Sequence, residues 1–422
     1  MSLRGRLAVY GGKADITPAT MLPLFGRTGR AELASNIKSR LEANCLLVRG
    51  SSVGTAVLIT IDSLFPSNAL IEAVASACTM RGLPLTTERL MMVASHTHNA
   101  PSLDASKPKL GASAPAYLAF VATKISDCLL ELSQRTDSEI TNVASGHADC
   151  AASVYRRRAL WGVDLARLLP SSRMIMSPNP SRRINQKLKL VLLKNIANQP
   201  KAVLWTWPCH AVSEPDPMAI SADFPGALRN HIRTSFGHPD LPVLYFPGFS
   251  GDIRPSARAH LPVHKSGRWI GFGSRFARAQ MMSARRLQQE LAAAFDRARF
   301  DINHSGTMLE ATLMCTQRNL PLTEIRDGAS ELPLLTCDDW QLGPIRIKAV
   351  SAEVASDYAK AAGESDPLSF TTGCAGQVFG YIPTDKQLSE GGYEVDGFAA
   401  SFSVPGRFRD AIEEQVVGLI GT

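Results

Sequence analysis

Two histidines, His96 and His98, stand one residue apart in MMVASHTHNAP (91–101), directly after an apolar run, in a chain with nine histidines in all. Side chains at i and i+2 of an extended segment point the same way. Both imidazoles are therefore expected to face one spot beyond a strand end, where they could hold a divalent metal ion; a pair of hydrogen-bonded loop histidines explains them equally well. His210, in WTWPCHAVSEP (205–215), repeats the situation after a second apolar run. A third run ends in FPGFSGDIRP (246–255), which carries Asp252 among glycines that let a backbone approach a ligand closely. Three such ends are expected to converge on one pocket, since α/β sheets bind ligands beyond the carboxyl ends of their strands.

The elements that must position these residues are legible as apolar runs. Residues 55–62, 89–95, 188–195, 201–208, 241–248 and 345–350 are continuously apolar rather than alternating, which suits strands covered on both faces. Helical patterns cover 68–80, 114–136 and 274–300, the last with Ser274 as its expected N-cap. Strand 55–62, helix 68–80 and strand 89–95 make a βαβ unit, so the class is α/β. The Pro- and Ser-rich stretch 170–182 reads as a surface loop. There is no internal repeat or linker, and one domain over residues 1–422 is expected.

Composition narrows the function classes. Apolar residues make up 45% and charged residues 20%, the balance of a globular protein. No segment approaches the ~18 apolar residues of a membrane span. The N-terminus lacks the apolar core of a signal peptide, so a cytoplasmic location is expected. The eight cysteines form no CxxC pair and read as reduced and mostly buried. The net charge is +7, and residues 253–289 hold eight basic side chains and no acidic one. A solvated basic face explains that stretch; attraction of an anionic ligand explains it equally. Nucleic acid is not an expected partner, because no binding motif and no interleaved aromatics accompany the charge.

The ordered set GKADITP (12–18), ITIDSL (59–64), ASHTHNAP (94–101), CHAVS with SADFPGAL (209–228), FSGDIRP (249–255) and GYIPTDKQLSEGGYE (380–394) resembles the catalytic domain of the neutral/alkaline non-lysosomal ceramidases. The resemblance implies a layered α/β/β/α sandwich with buried mixed sheets, and a zinc amidase whose metal sits on two histidines, a glutamate and a tyrosine. Carried over, the histidines are His96 and His210. The glutamate falls on Glu353 in IRIKAVSAEVASDY, with Ala352 where the family has glycine. The tyrosine falls on Tyr381 in GYIPT, with Tyr393 in GGYE as competitor and as a substrate-binding candidate. His98 is then a group that hydrogen-bonds a substrate carbonyl or shuttles a proton. Arg156, in SVYRRRAL, stands where similar enzymes have an Asn-Arg pair near the substrate head group, with Tyr155 replacing the asparagine. A solvated basic turn explains Arg156–Arg158 equally.

One departure bears on chemistry. The family's Gly-Asp element carries a serine important for amide cleavage, and that position here is Arg254. A guanidinium does not deprotonate, so it is neither nucleophile nor base; it is a two-pronged donor to carboxylate or phosphate. His98, Arg254 and Asp252 are thus the candidate catalytic set. Two further departures are expected: no secretion signal, and no C-terminal Ig-like domain after GGYE. The expectation is a zinc-dependent hydrolase of an amide or ester in a soluble, anionic, small acyl compound. The alternatives are a ceramidase or N-acyl lipid amidase proper, and a non-catalytic metal-binding homologue.

Overall fold

The computed structural model describes residues 7–421, apart from 51–53, 137–139, 257, 260–262, 267, 277–280, 303–306, 310–311 and 329–332. Two sheets packed face to face form its centre. The first has the order Leu7–Asp15, Glu42–Gly50, Gly54–Ile61, Leu90–Ala94, antiparallel except for its last, parallel pair. The second runs Val243–Phe246, Pro200–Thr206, Lys187–Asn195, Ile140–Asp149, Thr307–Met308, with one parallel pair, between the first two strands named.

Strand periodicity of two explains why both faces are apolar. Leu46, Val48, Leu58 and Val93 of the first sheet meet Val191, Leu193, Leu204 and Phe246 of the second in an inter-sheet core. Their alternate neighbours, Cys45, Leu47, Ile59 and Met92, pack beneath helices Asn68–Met80 and Pro115–Gln134. On the far side Leu190, Leu192, Val203 and Trp205 pack beneath helices Asp223–Phe236 and Met281–Ile302. The layers are therefore helix, sheet, sheet, helix, as expected. A further four-stranded sheet, Leu313–Leu320 to Ser369–Thr372, adds Trp340 and Ile347 to the inter-sheet core.

The six apolar runs are all strands, and helix Asn68–Met80 has its expected bounds, with Ser67 accepting from the Leu70 amide as N-cap. Two expectations fail. The stretch 170–182 is not a loop: Leu169–Asn179 pairs antiparallel with Ser153–Asp164. It occupies an outer position, where the missing N–H groups of Pro170 and Pro178 break few ladder bonds. Ser274 does not cap a helix, because Arg275–Phe276 pair as a strand with Arg258–Ala259 and helical structure is described only from Met281. Backbone pairing there overrides a helical side-chain pattern.

Candidate metal centre

Three strand ends do converge. Leu90–Ala94 leads into His96 and His98, Pro200–Thr206 into His210, and Val243–Phe246 into the Ser250–Asp252 turn. The route differs from the extended one expected: His96 takes a left-handed backbone, φ 62°, and the two rings meet edge to face with centroids 5.0 Å apart. A non-glycine residue in that region is strained and held there by its surroundings. Cys374, also left-handed at φ 55°, places Sγ 3.4 Å from His96 Nδ1.

Glu353 and Tyr381 come from a two-stranded parallel pair in which they are register partners. The Glu353 amide donates to the Gly380 carbonyl over 2.7 Å, and Gly251 donates to Val354. Gly251 has to be glycine: a Cβ there would lie 2.8 Å from the Glu353 carbonyl oxygen and 2.9 Å from that of Val354. Gly26 is constrained likewise, since a Cβ would lie 2.9 Å from His98 Nδ1.

The polar atoms point inward in one pattern. The Nδ1 atoms of His96, His98 and His210 lie 3.2, 2.8 and 2.8 Å from the carbonyls of Leu64, Gly26 and Ser250. A carbonyl only accepts, so each Nδ1 carries a proton, and on a neutral ring Nε2 then presents a lone pair. Glu353 Oε2 stands 3.2 Å from His96 Nε2 and 3.0 Å from His210 Nε2. Tyr381 Oη stands 3.3 Å from His210 Nε2. A tetrahedron of ligands about 2.1 Å from a zinc ion has edges of roughly 3.4 Å, so these spacings fit one. His96 Nε2, His98 Nε2 and Glu353 Oε2 are buried without a hydrogen-bond partner. Such orphaned acceptors are costly unless something positive joins them. The residues present therefore fit a divalent metal ion, on donors typical of zinc. The ligand atoms of His96, His98 and His210 all lie within 4.8 Å of one another, so His98 belongs to the same cluster.

Electrostatics sharpens the picture. Burial raises the Glu353 carboxyl; positive charge on His96 and His210 would outweigh it and hold the group well below the usual range. The same pairing, with Cys374, would raise His96 against its own burial; neutral rings facing a metal ion are the alternative. Burial, then the neighbouring His96 and His210, push His98 well below an ordinary imidazole. Burial and Arg156 bring His210 down to about 3. Arg156 is no solvated turn: it is buried in strand Ser153–Asp164, bonded through Nε to Glu394 at 2.7 Å, with Nη1 2.9 Å from His210 Nε2. A bound cation would compete with Arg156 for that lone pair. Arg157 is buried too, on Glu394 at 2.6 Å. Tyr393 flanks Arg156 and lies edge-on to Tyr381, ring centroids 5.6 Å apart; the hydroxyl near His210 is that of Tyr381.

Asp252 is fully buried, and its carboxylate accepts from the Ser356 amide at 3.0 Å and Gln387 Nε2 at 2.8 Å. Burial raises it to about 6. These bonds tie the Gly-Asp turn to the segments that follow Glu353 and Tyr381. Arg254 stacks on Phe276 at 4.9 Å and donates to Met176 Sδ, and among the described residues no carboxylate pairs with it. A cavity of about 1390 Å³ opens beside it, with Arg183, Arg285, Val212 and Ser213 in its wall.

Sequence patterns missed Arg30, Arg27, Glu394 and Cys374. Arg30 Nη1 donates to the His98 carbonyl over 2.8 Å and its Nη2 is buried without a partner. Burial and Arg27 pull Arg30 down to about 10; burial and Arg156 do the same to Arg254. Positive charge around the site thus exceeds what the described carboxylates balance. The fragment GRTGR (26–30) was the available signal, but its arginines reach the site only through the fold.

No protein-family model matches the sequence, and no curated protein does. Solved structures do match. A neutral ceramidase from Pseudomonas aeruginosa superposes with a TM-score of 0.70 at 14% identity, over 99% of this chain and 73% of that one. A ceramidase complexed with C2 superposes with a TM-score of 0.70 at 14% identity, over 98% of this chain and 74% of that one. With its helix–sheet–sheet–helix layers and three converging strand ends, the chain has the fold of the neutral ceramidase catalytic region.

Proposed function

We propose that the protein is a metal-dependent hydrolase that cleaves an amide or ester bond of a small acyl compound carrying an anionic group. The observation that carries the proposal is the set of buried acceptors, His96 Nε2, His98 Nε2 and Glu353 Oε2, gathered without partners inside this fold. His96, His210, Glu353 and Tyr381 would hold the ion, and zinc suits their nitrogen and oxygen donors. The chemistry such an ion supplies is polarisation of a carbonyl and acidification of a water towards pKa ~7.

The chain's own groups have distinct work. The hydrogen bond from His98 Nδ1 to Gly26 leaves Nε2 free to take or return a proton at the scissile bond. Arg156 is oriented by Glu394 with Nη2 unpartnered, ready to bind a substrate oxygen. Arg254 and Arg30, both without a carboxylate partner among the described residues, favour a carboxylate or phosphate on the substrate and help steady a developing oxyanion. Asp252 positions the turn that carries Arg254 and contributes by geometry. Ceramidase neighbours make an N-acyl lipid the second reading; Arg254 is the feature that separates the two.

Elemental analysis of wild type, His96→Ala and His210→Ala tests the centre. About one zinc per chain, lost in both variants, is expected; no stoichiometric metal in reconstituted wild type overturns the proposal. A wild type that hydrolyses neutral N-acylsphingosine faster than N-acyl amino acids overturns the anionic substrate class.

A further inference from the structure

The hairpin formed by Ser153–Asp164 and Leu169–Asn179 turns through Asp164-Leu165-Ala166-Arg167-Leu168-Leu169. Hairpin turns are normally built of Gly, Asn and Asp; this one is mostly aliphatic. Of 17 exposed large apolar side chains among the described residues, six lie on this hairpin or the strand beside it: Trp161, Val163, Leu165, Leu168, Leu169 and Phe272. Trp161 is 72%, Leu168 77% and Phe272 60% exposed.

Register shows that they share one surface. Gly162 pairs with Gly271 and Val163 with Ile270. A Cβ on Gly162 or Gly271 would run into the Trp269 ring, so those positions face inward. Trp161, Val163 and Phe272, one residue away in each strand, face outward. The Leu165 amide donates to the Arg268 carbonyl over 2.8 Å, which brings the tip against the neighbouring turn. Beside the patch, among the described residues, the exposed cations are Arg167 and Arg268, a net +2; Arg173 and Asp164, 3.6 Å apart, offset each other on the opposite face, where Arg173 lies over the Trp269 ring.

An apolar tip with an exposed aromatic and flanking cations matches a bilayer interface with anionic headgroups, where aromatic rings sit at headgroup level and each nearby cation adds attraction. A second copy of the chain fits less well, because apposing this face with itself would bring two like-charged rims together. We infer that the Asp164–Leu169 hairpin tip and the Trp161, Phe272 face dock the protein on an anionic lipid surface. From Arg156 to Asp164 the strand spans roughly 26 Å, at ~3.3 Å per residue. The hairpin is therefore a peripheral anchor that reaches away from the metal centre and does not open that centre onto the membrane.

The test needs no turnover, so it stands or fails apart from the hydrolase proposal. Trp161 is the exposed member of five tryptophans, the other four being buried, and reports on its own surroundings. Wild-type protein is titrated with vesicles of phosphatidylcholine alone or mixed with phosphatidylglycerol, reading tryptophan emission and co-sedimentation. Expected are a blue shift and sedimentation with the mixed vesicles. Arg167→Glu with Arg268→Glu should weaken binding at least roughly thirtyfold, from about 1 kcal/mol per lost cation. Leu165→Ser with Leu168→Ser should weaken it about tenfold or more. These surface changes should leave the circular dichroism unchanged. Absence of wild-type binding to mixed vesicles overturns the inference, as does equal binding by both variants. A wild-type dimer with Trp161 already shielded and no response to vesicles also overturns it, assigning the face to a second copy.

Discussion

Replacing Glu353 by glutamine separates a metal ligand from a structural ion pair, because the two roles predict opposite effects on the metal-free protein. Glu353 Oε2 lies 3.0 and 3.2 Å from two imidazole Nε2 atoms and is buried without a hydrogen bond. If both imidazoles are neutral, with Nδ1–H given to carbonyls, the carboxylate faces lone pairs and is an uncompensated buried charge. An amide of the same shape then costs the metal-free protein nothing. If instead the pair were a buried salt bridge with a protonated His96, breaking it would cost about 3–5 kcal/mol. For a chain of 422 residues the unfolding entropy is about 0.9 kcal/mol/K. A loss of that size lowers Tm by about 3–6 °C. Zinc at a hundredfold excess over its Kd adds about 2.7 kcal/mol, or about 3 °C. The assay is scanning calorimetry in chelator and then in buffered zinc. The metal-free Tm of Glu353→Gln should equal or exceed that of wild type, and the zinc increment should disappear. A drop of 3–6 °C in chelator with the increment retained would refute the reasoning.

Three further outcomes follow from the same geometry. His98→Ala should keep its zinc while kcat falls by about 10²–10⁴ on any substrate the enzyme turns over; loss of the metal instead would make His98 a ligand. Gly251→Ala sets a methyl 2.8 Å from the Glu353 carbonyl, so chelator competition should show zinc affinity about 10–100-fold weaker, as when groups supporting ligands are disturbed; unchanged affinity would mean the backbone yields freely. At Glu42, burial is outweighed by Arg229 and Arg233, the latter bonded at 2.8 Å to each oxygen, and the carboxyl is held at about 2 instead of 4.5. A folded pKa below the unfolded one contributes stability that is present above pH ~4.5 and lost as pH falls towards ~2. Glu42→Gln should thus cost about 3 kcal/mol at pH 7, and its Tm should approach that of wild type near pH 2; a gap independent of pH would falsify the assignment.

The sequence by itself determined the α/β class, the six buried strands and the histidines at two strand ends; the layers were implied by the family resemblance. The strands and the histidines follow from local periodicity, because a strand covered on both faces must be apolar throughout and a ligand at its end is its neighbour in sequence. Leu169–Asn179 was illegible because its prolines and serines signal a turn, and only pairing with Ser153–Asp164 makes it a strand. The segment at Ser274 was misread for the same reason, since pairing with Arg258–Ala259 outweighs helical periodicity. Tertiary structure alone decided that Glu353 and Tyr381 stand opposite each other in register. It also buried Arg156 on Glu394, 238 residues away, brought Arg30 under His98, and turned Trp161 outward. Each of these depends on which distant backbone a segment meets, and on how much charge burial leaves uncompensated there. Side-chain type and spacing carry no record of either.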